Sequence, residues 1–386
     1  MDFSRTVEEM VSDSRDKKII DIRDEEEFLK GSYPGAVNYP IDDFESHIDE
    51  LNKSVPVYFI CYSGKRSVDL CEKLSPKGFE VYSIQGGIYS CYVYLMRNRF
   101  PDSDTIAEKS ASVEKSIIKK FRKEIWCKFT KAINEYELIK DGDKIAVCIS
   151  GGKDSMLMAK LFQELKKHGR NNFELVFLVM NPGYNRINYE TILSNAKLMR
   201  LPVKVFDSDI FDVVDEAGGS PCYLCARMRR GYLYSKAKEL GCNKIALGHH
   251  YDDVIETILM GMLYGGQVQT MMPKLHSTNF EGMELIRPLY LIREEDIIRW
   301  RDYNKLTFIN CACRLTESCA SCGGTEKGSK RAEVKSLIAE LKEKNPFVES
   351  NIFRSVENVN LSTVICYKST DGEKHSFLDE YDKNTP

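Results

Sequence analysis

The chain has 386 residues, of which 42% are apolar and 29% are charged, and its formal net charge is only −3. A chain of this length can form two or three domains that each bury a core. The nearly balanced charge excludes a chain-wide positive field, so any contact with nucleic acid must be local. The N-terminus has no apolar signal segment, and no run reaches the ~18 apolar residues of a membrane span, so we expect a cytoplasmic protein outside the membrane.

Three short apolar runs, at 18–22, 57–61 and 80–84, alternate with helical or loop stretches in the first hundred residues. This alternation is typical of a small α/β domain, which we place at residues 1–100. Residues 101–112 are polar and have no apolar periodicity, so we interpret them as a linker.

Cys61 ends the second apolar run, where a short loop leads into a helical pattern. Backbone N–H groups and the helix dipole stabilise a thiolate at such a position, and Lys65 and Arg66 add positive charge. The sequence therefore predicts a reactive thiol at Cys61, in a cradle suited to the extra sulfur of a persulfide.

The residues around this thiol resemble the rhodanese family, whose active loop has the pattern C-x-x-G-x-R-S. The upstream segment IDIRDEEEFLKGSYPGAVNYP and the later QGGIYS are similar to further blocks of that family. The resemblance implies that Cys61 is catalytic and carries a persulfide in a loop that contains Gly64, Lys65, Arg66 and Ser67. The alternative is an inactive module that serves only for docking.

Three other positions carry expectations from this resemblance. Asp21 and Arg23 look like the family's buried structural pair. Ser32 stands where many relatives have a histidine, a departure that affects local packing and leaves the chemistry unchanged.

The segment 113–139 is strongly basic and amphipathic. Its apolar residues recur near helical spacing, which predicts a helix with lysines and arginines on the remaining positions. Lys119, Lys120 and Lys123 are candidates for contacts with RNA phosphates. A lysine face exposed to solvent explains the same pattern, and the sequence does not distinguish RNA binding from simple solvent exposure.

Residues 113–365 have the pattern of a larger α/β domain, because apolar runs from 144 onward alternate with helix-length segments as in a parallel sheet. In AVCISGGKDSMLMAKLF, an apolar strand leads through residues 150–155 into an apolar-periodic helix. Glycines in such a loop let the backbone approach a phosphate, and N–H groups at the helix start point at it. The loop lacks the pattern G-x-x-x-x-G-K-[ST], so cleavage between the β- and γ-phosphates of ATP is not implied.

Residues 366–386 are polar, and we expect a poorly ordered tail.

The run S-G-G-x-D-S resembles the PP-loop of the ATP pyrophosphatase superfamily, whose members attach AMP to a substrate oxygen and release pyrophosphate. The resemblance implies a doubly wound parallel sheet of the adenine nucleotide alpha hydrolase type. It also implies that Asp154 is catalytic and binds Mg²⁺, and that Asp253 in the block G-H-x-x-D-D is a second catalytic acid. The implied ATP-binding residues are Ser150, Gly151, Gly152, Lys153, Asp154, Ser155, Gly248, His249, Asp252 and Asp253. A hydrogen-bonded strand end is the alternative for His249 and its neighbour.

Six of the 13 cysteines lie in two groups, Cys222 with Cys225 and then Cys311, Cys313, Cys319 and Cys322. In a reducing compartment such groups favour metal ligation or thiol chemistry over disulfides. The C-x-x-C spacing lets two sulfurs point at one metal or cluster. The later four can form a zinc site of their own, or one of them can complete a site with Cys222 and Cys225.

The blocks P-C-x-L-C-x-R-x-R-R-G, G-H-H-x-D-D, L-Y-G-G and R-P-L-x-x-x-R-E-x-D-I occur in this order and resemble the tRNA 2-thiocytidine synthetases over residues 115–345. The resemblance implies a [4Fe-4S] cluster held by Cys222, Cys225 and, from the similarity of F-I-N-C, Cys311. One iron is then open to an exogenous sulfur. The segment VMNPGYN (179–185) departs from the family, which usually has an acidic residue there, and this leaves nucleotide or substrate specificity open.

The combined hypothesis is an ATP- and Mg²⁺-dependent tRNA sulfurtransferase that adenylates the 2-oxo group of an anticodon-loop cytidine and then replaces it with sulfur. A cysteine desulfurase or another persulfide donor would supply sulfur through Cys61. Arg227, Arg229 and Arg230 would contact tRNA phosphates, with salt bridges on a helix surface as the alternative. Two other functions stay open: a sulfurtransferase for another nucleobase or a small molecule, and a noncatalytic sulfur carrier or redox sensor. The sequence leaves monomer and homodimer open.

Overall fold

The computed structural model describes residues 3–29, 32–98, 103–169, 171–184, 186–208, 210, 221–309, 330–369 and 371–381. Only the backbone is described at 26, 96, 97, 103, 104, 186, 187, 221–227 and 380. The predicted ligand Cys311 and its neighbours Cys313, Cys319 and Cys322 lie outside the described residues, as do the side chains of Cys222, Cys225 and Arg227. Within the described ranges, no helix is both long and apolar enough to cross a membrane.

The N-terminal domain is a five-stranded parallel sheet in the order β1-β5-β4-β2-β3. Its strands are β1 (Ser4–Arg5), β2 (Lys18–Asp21), β3 (Val37–Asn38), β4 (Val57–Ile60) and β5 (Val81–Ile84). Its α-helices are α1 (Val7–Ser12), α2 (Glu25–Leu29), α3 (Lys65–Leu74) and α4 (Gly87–Arg97), with 3₁₀ turns at Ile41–Glu50 and Ser75–Lys77. The central strand β4 is buried throughout, because Phe59 belongs to one apolar cluster and Tyr58 and Ile60 to a second. The three predicted strands are therefore confirmed as β2, β4 and β5.

The second domain contains a six-stranded sheet in the order β10-β11-β9-β6-β7-β8, parallel except for the edge pair β10 and β11. Its strands are β6 (Lys144–Ile149), β7 (Glu174–Asn181), β8 (Val203–Asp207), β9 (Lys244–Ala246), β10 (Lys274–His276) and β11 (Glu284–Ile286). Its helices are α5 (Ser103–Lys115), α6 (Cys127–Glu135), α7 (Lys153–His168), α8 (Arg186–Leu198), α9 (Pro221–Glu239), α10 (Tyr251–Gly265), α11 (Glu294–Tyr303), α12 (Lys330–Lys344) and α13 (Val348–Ser355). The carboxyl ends of the parallel strands meet at one edge, where ligands of open α/β sheets bind. The predicted fold class is confirmed.

Residues 103–112, interpreted above as part of a polar linker, are helical and belong to α5. Ile106 and Val113 on this helix are buried, and Lys109 Nζ donates a hydrogen bond to the carbonyl of Asn304 at 2.7 Å. The polar composition reflects the exposed face of a packed helix, so the described part of the segment interpreted as a linker is helical and packs on the second domain.

The basic segment is helical, as predicted, but two π-helical stretches at Ser116–Lys120 and Arg122–Trp126 separate α5 from α6. The apolar residues at near-helical spacing are buried: Ile117, Phe121, Ile125, Phe129 and Ile133. Its interior face therefore forms part of the core of the second domain.

The C-terminal segment, expected to be a poorly ordered tail from residue 366, forms a hairpin in the described part of the chain. Strands β12 (Cys366–Lys368) and β13 (Lys374–Ser376) pair antiparallel, and the short helix α14 (Leu378–Tyr381) follows. Tyr367 and His375 stack across the pair with ring centroids 5.0 Å apart. The cross-strand stacking and the backbone ladder explain why a polar composition does not prevent local order here.

The two domains touch through α4 and α8, which pack against each other. Helix α4 begins next to the loop that carries Cys61, because Ile88 N donates to the carbonyl of Cys61 at 2.8 Å. Helix α8 follows the turn after β7 that contains Tyr184. The helix pair thus connects the segment after the predicted thiol site with the carboxyl edge of the larger sheet.

Candidate active sites

Cys61 lies immediately after β4 at the start of the loop that leads into α3. Its side chain is buried, and Sγ accepts a hydrogen bond from Gly64 N at 3.1 Å and lies 3.1 Å from Ser67 Oγ. Ser67 Oγ in turn lies 2.7 Å from Ser83 Oγ. Lys65 and Arg66 lie on the first turn of α3, where both are exposed. The predicted loop is therefore assembled around the sulfur, with the Gly64 N–H and the Ser67 hydroxyl beside Sγ and two cations on the first turn of α3.

The Cys61 loop rests on the start of α4 through Gly87, which has φ +60°. A Cβ at Gly87 would overlap the carbonyl oxygen of Cys61 and lie 2.8 Å from the carbonyl carbon of Tyr62. Only glycine allows both this backbone conformation and this approach. The position of the thiol thus depends on the second glycine of the segment QGGIYS.

Gly87→Ala should lower the unfolding free energy of the N-terminal domain by more than about 2 kcal/mol, because it adds a steric overlap to an unfavourable φ. Gly35→Ala is the matched control: Gly35 has φ +83°, and a Cβ added there would have no neighbouring atom within 4 Å, so only the backbone cost of about 1 kcal/mol applies. Urea unfolding of both variants checks this. Equal losses would mean that α4 does not hold the Cys61 loop.

Asp21 and Arg23 form a buried ion pair, with Arg23 Nη2 2.7 Å from Asp21 Oδ2. Ser32, which departs from the rhodanese pattern, donates its hydroxyl to the same carboxylate oxygen at 2.6 Å. The serine therefore supplies a hydrogen bond to the buried ion pair at the position where many rhodanese relatives have a histidine.

The loop SGGKDS joins β6 to α7 at the carboxyl edge of the larger sheet. Ser155 Oγ accepts from Ser150 N at 3.1 Å and donates to the carbonyl of Gly152 at 3.0 Å, which fixes the turn. Gly151 has φ +88°, and a Cβ there would lie 2.5 Å from Ile192 and 2.7 Å from Ile309. The sequence Ser-Gly-Gly therefore gives a tight loop whose backbone is packed on one side.

The block GHHYDD follows β9 and closes over the same loop. His250 caps α10: its backbone N donates to Asp253 Oδ2 at 3.0 Å, and its Nδ1 accepts from Asp253 N at 3.4 Å. His250 Nε2 lies 4.0 Å from Asp154 Oδ1. The capping box holds Asp253 beside the PP-loop. His250 is therefore hydrogen-bonded at the strand end, and the same hydrogen bonds position a predicted nucleotide-site residue.

A cavity of about 320 Å³ lies between these elements. Six predicted nucleotide-binding residues line it: Ser150, Asp154, Ser155, Gly248, His249 and Asp253. Met180, Leu233 and Leu247 give it an apolar side, and Tyr184 and Arg229 also line it. An apolar side next to hydroxyls, carboxylates and a guanidinium suits a ligand with an aromatic base and phosphates.

Two predicted nucleotide-binding residues, Lys153 and Asp252, make ion pairs beside the cavity. Lys153 Nζ lies 3.2 Å from Asp154 Oδ2 and 2.9 Å from Glu294 Oε1. Asp252 accepts from Glu294 N at 2.6 Å and pairs with Arg293 at 3.0 Å. Lys153 therefore links the start of α11 to the PP-loop, and Asp252 links it to α10.

A second layer of charges from α11 and α12 surrounds the site, and the sequence alone did not predict it. Glu294 Oε2 lies 2.9 Å from Lys335 Nζ. Arg331 pairs with Asp253 at 3.2 Å and with Glu256 at 3.2 Å. The motif R-E-x-D-I contains Glu294 and was a usable signal, whereas no motif marked the two cations of α12.

Burial and charge pairing set the ionisation of these groups. Burial raises the pKa of Asp154, and its Oδ1 is buried without a hydrogen-bond partner. Burial also lowers the pKa of His249 to about 4, so this imidazole is neutral at pH 7. Burial opposes the charge of Lys153, but the nearby carboxylates of Asp154 and Glu294 outweigh it and raise the pKa of Lys153. Burial also opposes the charge of Glu294, but hydrogen bonds from Lys335 and Lys153 outweigh it and lower the pKa of Glu294 to about 2.

The predicted RNA-binding residues lie in different environments. Lys119, Lys120 and Lys123 are exposed, and Lys120 Nζ lies 5.1 Å from the ring centroid of Tyr303. Arg230 is exposed on α9, whereas its neighbour Arg229 is only partly exposed and lines the cavity. Arg229 and Arg230 therefore do not share one surface.

Comparison with known proteins gives two matched regions. The rhodanese-like domain family matches residues 5–92, and the PP-loop domain family matches residues 121–314. A tRNA-cytidine(32) 2-sulfurtransferase from Coxiella burnetii (strain Dugway 5J108-111) is 37% identical over 241 residues, which are 61% of this chain and 89% of the relative. The chain belongs to the tRNA-cytidine(32) 2-sulfurtransferase family. A member from Geobacter sulfurreducens is 35% identical over 232 residues, covering 59% of this chain and 87% of the relative. In the present chain, the rhodanese-like domain precedes the PP-loop domain.

Two solved structures match parts of this chain. The U34-tRNA thiolase NcsA from Methanococcus maripaludis, determined with its [4Fe-4S] cluster, has a TM-score of 0.48 and 24% identity over 62% of this chain and 80% of its own. A rhodanese-like domain protein from Staphylococcus aureus has a TM-score of 0.22 and 29% identity over 24% of this chain and 91% of its own.

Proposed function

We propose that this chain is an ATP-dependent tRNA sulfurtransferase that converts a cytidine of the anticodon loop to 2-thiocytidine. The observation that carries the proposal is the cavity beside the PP-loop, which Asp154 and Asp253 both line, in a chain that shares 37% identity with a tRNA-cytidine(32) 2-sulfurtransferase. The PP-loop architecture favours release of pyrophosphate over cleavage at the γ-phosphate.

Mg²⁺ fits this cavity. Asp154 Oδ1 is a buried oxygen with no hydrogen-bond partner, and Asp253 lines the same cavity. Mg²⁺ commonly binds one or two carboxylates together with substrate phosphates and water. When bound, Mg²⁺ would offset the charge of the phosphates.

The cysteine positions fit a [4Fe-4S] cluster in their spacing. Residues 222 and 225 lie three apart in the helix α9, so the helical period puts them on one face. Ile309, just before the predicted third ligand Cys311, packs against Gly151 of the PP-loop. With three cysteine ligands, such a cluster supplies an open iron to which a sulfur atom can bind.

The proposed reaction has two displacement steps, adenylation of the base and replacement of its oxygen by sulfur, and different residues of the cavity would act in each. In the first, the 2-oxo oxygen of cytidine attacks the α-phosphorus of ATP, and pyrophosphate leaves. The Ser150–Ser155 hydroxyl pair and the backbone of the PP-loop would hold the departing phosphates. In the second, a sulfur nucleophile at the sulfide level forms the C–S bond, the C–O bond breaks, AMP leaves and the remaining proton goes to solvent. The neutral His249 would hydrogen-bond the nucleotide and add no charge.

The proposed sulfur path begins at Cys61, as a persulfide formed by transfer of sulfane sulfur from a cysteine desulfurase or another persulfide donor. Two equivalents of a thiol reductant then release the outer sulfur as hydrosulfide, return Cys61 to the thiol and end as a disulfide. Gly64 N donates a hydrogen bond to its Sγ, and the hydroxyl of Ser67 lies 3.1 Å from the sulfur; these polar neighbours support sulfur chemistry at this position. Contact between α4 and α8 keeps the rhodanese-like domain on the PP-loop domain. Arg227, Arg230 and the exposed lysines Lys119, Lys120 and Lys123 are the candidates for contacts with tRNA phosphates.

The test of this function is pyrophosphate release by the purified, cluster-loaded protein with Mg²⁺ATP. Release that requires tRNA, together with the appearance of thiolated cytidine, supports the proposal. Release stimulated by a small molecule and not by tRNA would contradict it. A protein that releases no pyrophosphate with any substrate would favour a sulfur carrier or redox sensor.

Serine at Cys222 or Cys225 should abolish the cluster, because each change removes one of the three proposed ligands. Anaerobically purified wild type should contain about four irons per chain, as a [4Fe-4S] cluster requires, and the variants almost none. The measurement is iron and acid-labile sulfide content with the visible absorption spectrum. Cys319→Ser and Cys322→Ser are matched controls that should keep their iron if Cys311 is the third ligand. Zinc in stoichiometric amount without iron would refute the cluster.

A further inference from the structure

The cavity wall has an uneven charge distribution. Asp154 and Asp253 contribute two carboxylates, and His249 is neutral at pH 7 because burial lowers its pKa to about 4. Among the described residues that line the cavity, Arg229 is the one with a permanent positive charge. Lys153, the cation of the PP-loop itself, does not line the cavity and is held by Asp154 and Glu294.

The helical register of α9 explains why Arg229 faces the cavity. Leu233, four residues further on, also lines it, so this face of the helix forms one wall. Arg230 is rotated by about 100° around the helix axis and is exposed. Positions 222 and 225 precede Arg229 by seven and four residues, which places them on the same face toward the helix start.

A guanidinium matches the needs of phosphate recognition. Its planar fork can make two parallel hydrogen bonds to phosphate oxygens, and it stays charged in a partly buried site. Charge-assisted bonds of this kind are stronger inside a cavity than at a surface contact with an RNA backbone. A partly buried arginine among carboxylates and hydroxyls therefore suits the nucleotide better than the outside of a tRNA.

We infer that Arg229 is a catalytic residue that binds the α-phosphate of ATP, and not one of the residues that contact the tRNA backbone. It stabilises the charge on the α-phosphoryl oxygens while the nucleobase oxygen bonds to phosphorus and the bond to pyrophosphate breaks. It then holds the same phosphate as the C–O bond of the adenylated base breaks and AMP leaves. This inference rests on the proposed adenylation of tRNA. It identifies Arg229 as the cation that stabilises the α-phosphate during that reaction.

The experiment compares Arg229→Met with Arg230→Met in the full-length, cluster-loaded protein. Arg229→Met should weaken the binding of AMP by about 10- to 100-fold and leave the binding of adenosine within about twofold, because only AMP has the α-phosphate. It should also lower kcat for tRNA-dependent pyrophosphate release by about 100-fold or more. Arg229→Lys should recover part of both losses. Arg230→Met should instead raise KM for tRNA, with the loss recovered at high tRNA concentration.

Calorimetry with AMP and adenosine, tRNA titrations at two salt concentrations and iron analysis separate the outcomes. Iron content and melting temperature near those of wild type establish that the variants are folded and loaded. If Arg229→Met loses tRNA affinity and keeps its preference for AMP over adenosine, Arg229 is a backbone contact and the inference is wrong, while the proposed function stands. If wild type itself shows no tRNA-dependent pyrophosphate release, the proposed function fails, and AMP binding still decides whether Arg229 recognises the phosphate.

Discussion

Asp154→Asn should reduce Mg²⁺-dependent pyrophosphate release and thiolation by about 100-fold or more, with fold and cluster retained. Asp154 Oδ1 is buried, has no hydrogen-bond partner and lines the cavity, so it is placed to receive a cation. Asparagine has nearly the same shape but lacks the negative charge. It can still accept a hydrogen bond from Lys153, whose Nζ lies 3.2 Å from Asp154 Oδ2. The structural cost of the change is therefore small.

Asp302→Asn is the matched control for this variant. Asp302 is exposed near the end of α11, where its carboxylate pairs with the neighbouring Arg301 at 2.7 Å. The two variants should unfold at similar urea concentrations and contain similar amounts of iron. Pyrophosphate release measured over a range of Mg²⁺ concentrations then isolates the contribution of the carboxylate. A rate for Asp154→Asn equal to that of Asp302→Asn would refute the role of Asp154.

Cys61→Ala should abolish turnover that depends on thiosulfate or a persulfide donor, and leave ATP binding, iron content and tRNA affinity near wild type. The change removes one sulfur atom from a loop of the N-terminal domain, and the loop is held by backbone contacts such as that from Ile88 N to the Cys61 carbonyl at 2.8 Å. Contact between α4 and α8 does not involve this sulfur, so the domain contact should persist. Cys127→Ala, at an exposed cysteine on α6, is the control for loss of a thiol.

Free sulfide distinguishes a relay from a direct chemical role. Sulfide is small enough to reach the proposed cluster without a carrier, so it should restore thiolation in Cys61→Ala. It should not rescue Cys222→Ser, which lacks a cluster ligand. Thionucleoside formed with each sulfur source is measured under anaerobic conditions. Normal activity of Cys61→Ala with persulfide donors would make the rhodanese-like domain a docking module, and failure of sulfide to rescue would put Cys61 closer to the chemistry.

The local features of both sites could be predicted from sequence because neighbours along the chain build them. Ser150 and Ser155 are five residues apart and hydrogen-bond across one turn. Cys61 and Ser67 are six apart and meet in one loop. In each case an apolar strand followed by glycine and a helix start fixes the geometry.

The long-range features could not be predicted, because they depend on how helices dock on the sheet. Lys153 and Glu294 are 141 residues apart, and Lys335 and Glu294 come from helices with no sequence signal that they meet. The orientation of Arg229 depends on the register of α9 against the sheet. The helix α5 and the C-terminal hairpin could not be predicted from their polar composition, because a few buried or stacked residues stabilise each of them.

Nucleoside mass spectrometry of tRNA tests the proposed function most directly. It compares cells that lack this chain with the same cells after complementation by wild type or by Asp154→Asn. The account predicts that 2-thiocytidine disappears without the chain, returns with wild type and does not return with Asp154→Asn. Unchanged 2-thiocytidine in cells that lack the chain, or the loss of a different thionucleoside, would contradict it.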